Sequence, residues 1–186
     1  MKKVIFIYGF TGTNRDSQTA KKVLDNYNVI CFEYNSGLKQ PLEEIAEELD
    51  NFIISKTNQK EKVNLVGVSA GGIIATYYTK FVSPNKVDKL ATICSPFKGT
   101  YVPTFYTKKR EGLKELEYNA PFLKKLNYKK LENDKIINFY SLLDYLVPGN
   151  SGKGENPVHT WNFIHFTVSW DRSILKKIKE FFGKGR

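Results

Sequence analysis

The chain has 186 residues, 41% of them hydrophobic and 14% aromatic, the composition of one globular domain with a full-sized core, so no second domain is needed. No stretch approaches the roughly 20 apolar residues of a membrane-spanning helix. The net charge of +10 is uneven, residues 1–100 carrying 13 basic and 10 acidic side chains and residues 101–186 carrying 16 and 9; that basic half could meet an anionic membrane surface, but lysines on solvated helix faces explain it more simply, and no nucleic-acid motif accompanies it.

The N-terminal MKKVIFIYGF superficially resembles a signal peptide. Its apolar run is too short, lacks a small-residue cleavage site and passes directly into Gly9-Phe10-Thr11-Gly12. It reads as a first strand, Val4 to Tyr8, and a cytoplasmic setting is expected. The loop Gly9 to Thr13 is rich in residues that permit unusual dihedrals and expose N–H groups, the makings of an anion cradle. Asp16 is a plausible N-cap for a helix through Ala20, Val23 and Leu24, and Asn28 to Glu33 reads as strand two. A helix starts at Pro41, with Leu42, Ile45, Ala46, Leu49, Phe52 and Ile53 on one face. Glu43, Glu44, Glu47 and Glu48 alternate with that stripe as its solvated side, so they are not read as an acid–base or metal pair.

The next segment organises the rest. Val63, Leu65, Val66 and Val68 form a short apolar run suited to a strand buried on both faces, and from Ile73 the apolar residues recur at helical spacing. Ser69 lies at the junction. Gly67, Ser69 and Gly71 spell G-x-S-x-G, the nucleophile elbow, in which a tight turn between strand and helix presents a serine and small neighbours let the chains approach. The pattern alone is common in loops; the flanking strand and helix are what make it specific. Strand four is expected over Val87 to Cys94, followed by Ser95-Pro96-Phe97-Lys98-Gly99-Thr100. Cys31 and Cys94 would then lie three strand spacings apart, about 14 Å, too far for a disulfide, and are read as buried thiols.

Alternating strands and helices imply right-handed crossovers and a parallel sheet with its functional loops at the carboxyl ends of the strands. Residues 101–134 interrupt the rhythm: Tyr101, Phe105 and Tyr106, then Leu113, Leu116, Phe122, Leu123 and Leu126 among lysines, predict a helical insertion. Ile136 to Leu142 is strand five, Val158 to Ile164 strand six, and Arg172 to Phe182 a final amphipathic helix. Asp144 follows strand five and His165 follows strand six. Each has a rival. Asp171 stands directly before the last helix and reads as its N-cap, and Asp144 itself could simply cap the turn before Val147-Pro148. His159 falls near the amino end of the expected strand six, roughly 15 to 20 Å from the other candidates.

The order Ser69, Asp144, His165, each at a strand's carboxyl end, resembles that of α/β-hydrolases, and the likeness runs along nearly the whole chain. Within that superfamily the chain is most similar to the small, nearly cap-less bacterial lipases and esterases. GVSAG looks like their elbow, YGFTGT like their HG-x-G oxyanion loop, SPFKGT like a P-x-x-G segment and LLDYLVP like an acid loop. One position departs: the histidine before the first glycine is Tyr8 here. The resemblance implies one domain over 1–186 with the α/β-hydrolase fold, a three-layer sandwich of about six mainly parallel strands with helices on both faces. It implies Ser69 as nucleophile, His165 as base and Asp144 as its partner, with Phe10 and Ala70 N–H groups as the oxyanion hole and no metal or cofactor. Gly9, Thr11, Phe97 and Tyr101 are the expected substrate-binding residues, the insertion bordering the acyl site. The expected activity is hydrolysis of carboxylic esters, acyl glycerols or related lipids among them. Thioester, amide or acyl-transfer chemistry on the same triad is the alternative, as is a silent module that binds an acyl ligand or an anionic surface.

Overall fold

A computed structural model describes residues 1–101, 108–161 and 164–184. Phe105 and Tyr106 of the expected insertion, and positions 162 and 163 of the expected strand six, lie outside the described residues.

Six strands, β1 (Lys3–Ile7), β2 (Asn28–Phe32), β3 (Val63–Val68), β4 (Val87–Ile93), β5 (Ile136–Ser141) and β6 (Pro157–Thr160), pair in the order β2-β1-β3-β4-β5-β6. Every pairing is parallel. Successive side chains of a strand point to opposite faces, and β1 shows the result: Val4 and Phe6 join one core, Ile5 and Ile7 the other. Over the Ile5 face lie α2 (Leu42–Lys56), α3 (Ala70–Tyr77) and the two short helices of the insertion, α4 (Glu111–Lys114) and α5 (Pro121–Tyr128). Over the Val4 face lie α1 (Gln18–Val23) and α7 (Arg172–Gly183); a further single turn, α6 (Gly149–Gly152), follows β5. This is a three-layer α/β sandwich.

α2 and α7 bury the stripes their sequences display, Leu42, Ile45, Ala46, Leu49 and Ile53 in one and Ile174, Leu175, Ile178, Phe181 and Phe182 in the other. Each fully buried leucine, isoleucine or phenylalanine among them contributes about 1.5–3 kcal/mol. The insertion is fastened to the body, because Pro41 offers no capping oxygen and the Glu115 carboxylate takes its place, accepting from the Leu42 N–H at 2.7 Å. Among the described residues no helix is long and apolar enough to cross a membrane.

Most strand ends fall within one residue of their expected positions, and two larger differences from the sequence reading stand out. Asp16 is not an N-cap: Thr13 caps a 3-10 turn over Asn14–Ser17, and Asp16 closes a capping box by accepting from the Thr13 N–H at 2.8 Å. β6 stops at Thr160 instead of Ile164. Its partner β5 ends at Ser141, which pairs with Thr160, so the chain has no ladder to continue. It leaves the sheet with Trp161 exposed and coils into a 3-10 turn over His165–Trp170.

Candidate active site

Three loops at the carboxyl ends of β3, β5 and β6 meet over the sheet. Ser69 sits between β3 and α3 with φ 54° and ψ −124°, a left-handed conformation costly for a residue with a Cβ. It persists because its surroundings admit little else. A Cβ at Gly67 would lie 2.4 Å from the Gly72 Cα, and one at Gly71 would lie 2.3 Å from the carbonyl oxygens of Ile7 and Tyr8. The backbone closes around the turn through Ser69 N–H to Ile93 O at 2.8 Å and Gly72 N–H to Ser69 O at 3.0 Å.

The His165 Nε2 lies 2.8 Å from the Ser69 Oγ, and its Nδ1 2.6 Å from the Asp144 Oδ2. A carboxylate can only accept, so Nδ1 carries the ring's proton and Nε2 faces the Ser69 hydroxyl as acceptor. Asp144 does two jobs at once. Its Oδ1 accepts from the N–H groups of Leu146 and Val147, both at 2.9 Å, which is the turn-capping role open to it from sequence, while Oδ2 holds the imidazole. Burial pushes the carboxyl up, but the His165 hydrogen bond and charge and the two N–H donors outweigh it and hold Asp144 below the ordinary aspartate value. His165 is positioned by its turn, in which the buried Val168 enters the core and Ser169 donates to Asp16 Oδ1 at 3.4 Å. The turn is thereby tied to the loop after β1.

That loop faces the serine. The Phe10 and Ala70 N–H groups, expected as oxyanion donors, have no internal acceptor among the described residues. Beside them opens a cavity of about 760 Å³ whose wall includes Gly9, Thr11, Ser69, His165 and Tyr101. Its lining mixes apolar Pro96, Leu113, Leu116, Leu146 and Val147 with charged Arg15, Asp16 and Arg110. Phe97 is a correction. It is 3% exposed and packed in the core, its ring where a Cβ on Gly154 would fall, and it is not on the cavity wall.

A sequence profile described as alpha/beta hydrolase fold matches residues 4–127. The chain belongs to the alpha/beta hydrolase fold family. Among solved structures, the hydrolase MGS-MChE2 from the sediment metagenome of the Mar Chica lagoon, Morocco, superposes with TM-score 0.72 at 19% identity, over 98% of this chain and 90% of that one. A Paleococcus ferrophilus monoacylglycerol lipase gives 0.68 at 13%, over 96% and 94%, and Aspergillus fumigatus lipase B gives 0.70 at 16%, over 94% and 50%. No curated protein sequence matches the chain.

In this family member the two rivals are occupied elsewhere. Asp171 caps α7, accepting from the N–H of Ser173 at 2.8 Å and of Ile174 at 3.3 Å. Asp171→Ala is expected to cost about 1 kcal/mol of stability, a drop of roughly 2–4 °C in Tm for a chain of this size, with kcat on esters unchanged; a calorimetric melt beside an activity assay checks both. His159 packs edge-on against Tyr140 and Trp161, with ring centroids 5.5 and 4.8 Å away. Because β6 stops at Thr160, His159 is its penultimate residue and not near the amino end of a strand running to Ile164. What separates the histidines is that one remains in the edge strand and the other is carried off it.

Several neighbours escaped the sequence reading. Cys94 has φ 47° and lies beside Asp144; burial, then the Asp144 charge and hydrogen bond, push its thiol up, so it stays a protonated donor. Cys31 and Cys94 are separate buried thiols. Of the basic run after the insertion's start, Lys108 and Lys109 face solvent, but the Arg110 guanidinium lies 5.5 Å from the centre of the Phe10 ring and donates to Gly37 O at 2.8 Å. Among the described residues no cluster of three His, Cys, Asp or Glu side chains is arranged to hold a metal.

Proposed function

We propose that this member of the family is a serine hydrolase of carboxylic esters with an apolar acyl group. The observation that carries the reading is the unbroken line Asp144, His165, Ser69, at 2.6 and 2.8 Å, ending beside the unspent N–H groups of Phe10 and Ala70.

The Ser69 Oγ gives its proton to Nε2 as it attacks the acyl carbonyl carbon, and the carbonyl electron pair moves onto oxygen. The two N–H groups face that charge as it develops, within a site the protein has already ordered. Asp144, kept anionic, stabilises the imidazolium and fixes its tautomer. Nε2–H then protonates the departing alkoxide, leaving acyl-Ser69. Water repeats the sequence, His165 taking its proton, and the carboxylic acid leaves as Ser69 recovers its hydrogen. The cavity supports the substrate class: about 760 Å³ lies in the range of small-ligand sites, and its apolar lining residues, Leu113, Leu116, Leu146 and Val147, suit a hydrocarbon chain. Two of the three structural neighbours named above carry the name lipase, which supports a carboxylic ester as the substrate.

A fluorophosphonate probe is expected to label the wild-type chain and not Ser69→Ala. Across p-nitrophenyl esters of increasing acyl length, kcat/KM is expected to exceed that on the matching anilides and to rise from acetate as the chain covers the apolar lining residues. A folded protein that takes no label would sink the reading, and a preference for anilides or thioesters would move it to the amidase or thioesterase alternative.

A further inference from the structure

The residue by which this sequence departs from the HG-x-G pattern has a partner 26 positions along the chain. Tyr8 directly follows β1 and Tyr34 follows β2, and the two are joined reciprocally. The Tyr8 hydroxyl donates to Tyr34 O at 3.0 Å and accepts from the Tyr34 N–H at 2.9 Å, while the Tyr34 hydroxyl donates back to Tyr8 O at 2.7 Å. Their rings stack at 4.9 Å with 12° between planes. Burial raises both phenols above their ordinary value, so both hydroxyls stay protonated and keep donating at neutral pH.

The consequence lies in the peptide planes of the next three residues. The Tyr34 hydroxyl fixes the Tyr8 carbonyl, and with it the Tyr8–Gly9 peptide. The Gly9 carbonyl accepts from the Gly12 N–H at 3.0 Å, and the Thr11 N–H donates to Ser36 O at 3.1 Å, fixing the Gly9–Phe10 and Phe10–Thr11 peptides. A peptide group is planar, so its carbonyl direction dictates its N–H direction. Within this run the Gly9 and Phe10 N–H groups have no acceptor among the described residues; the Phe10 N–H shares the plane held through the Gly9 carbonyl, and the pinned planes before and after it limit its turn. Two of the anchors, Tyr34 and Ser36, belong to the loop after β2, which contributes nothing else to the serine line.

We propose that Tyr8 and Tyr34 are positioning residues, a phenol clasp that holds the Phe10 N–H where the developing oxyanion will lie, in place of the histidine of related loops. The proposal rests on the serine hydrolase reading and adds a residue pair to it. A clasp of this kind acts on the transition state and not on the ground state, because the substrate carbonyl makes weaker demands on donor direction than the tetrahedral oxyanion does.

Tyr34→Phe removes one hydroxyl, keeps the ring stack and frees the Tyr8 carbonyl; Tyr8→Phe removes the other two bonds. Each is expected to lower kcat about 10- to 100-fold, with KM within about twofold of wild type, as misdirecting one preorganised donor does. The inhibition constant for an alkylboronic acid, whose adduct with Ser69 is tetrahedral and anionic, should rise by the same factor as kcat/KM falls. A merely structural pair would lower Tm and leave the boronate constant where it was. Wild-type kcat in a folded Tyr34→Phe, or a loss of kcat with unchanged boronate affinity, overturns the clasp alone. Absence of any turnover or labelling in the wild type overturns the serine hydrolase reading, and the clasp with it. Should Tyr8→Phe fail to fold, Tyr34→Phe decides.

Discussion

Replacing Ser69 by alanine is expected to reduce kcat on the order of 10⁶-fold, the scale seen when the nucleophile of a triad is lost, while the fold survives. Alanine keeps the Cβ that the turn already tolerates at φ 54°, and Ser69 holds its place through backbone bonds, its N–H to Ile93 O and its carbonyl to Gly72 N–H. The same loss is expected for His165→Ala, because without Nε2 no group lies 2.8 Å from the Ser69 oxygen to take its proton. The two together should be no worse than either alone, since the side chains act as one unit. His159→Ala should keep most of kcat, its ring lying against Tyr140 and Trp161. Single-turnover rates on a p-nitrophenyl ester with matched circular dichroism melts make the comparison. An inactive His159→Ala beside an active His165→Ala would dismantle the assignment.

Asp144→Asn is expected to cost about 10⁴-fold in kcat with most of the loop intact. The asparagine carbonyl oxygen can still accept from Leu146 and Val147, but its NH₂ then faces Nδ1. That forces the ring proton onto Nε2, which would donate toward Ser69 when it must accept. The same substitution separates catalysis from stability through pH. The native carboxyl of Asp144 is depressed below its ordinary value, so its contribution is full above the unfolded value near 3.9 and is lost as the pH falls through the depressed native one. The gap in Tm between wild type and Asp144→Asn should therefore shrink as pH drops from neutral to about 3, near the lower edge of the ordinary aspartate range. A gap that widened would mean that the carboxyl is raised in the fold.

The parts of this site that sequence reveals are those carried by short-range chemistry. The elbow is legible because strand, serine and helix are contiguous, and Ser69 needs only its immediate neighbours to be recognised. Asp144 and His165 are legible through chain direction, but the extent of β6 was not, since where an edge strand ends depends on where its partner β5 ends. Phe97 carried the right chemistry for a substrate wall and faces the core, a matter of which way one loop side chain turns. Lys80 shows the same limit. In a helical run it looks like one more solvated lysine, yet it is buried and paired with Glu155 at 2.6 Å from a loop 75 residues away. The Tyr8–Tyr34 pair is likewise invisible to periodicity, because it joins the ends of two strands that become neighbours only in the sheet.

Nucleophile and proton acceptor come from opposite stages of the chain's synthesis. Ser69 is set by β1, β3 and β4, all made before residue 94, whereas Asp144 and His165 follow the two outermost strands on the other side. On the proposed reading, a nascent chain emerging as far as the insertion carries the elbow serine with no base beside it. Reactivity is then expected to wait until the turn over His165–Trp170 seats Val168 in the core. The order of synthesis thus puts the proposed proton acceptor after the proposed nucleophile, and ester turnover during translation would time the docking of the His165–Trp170 turn and α7 better than any probe of secondary structure.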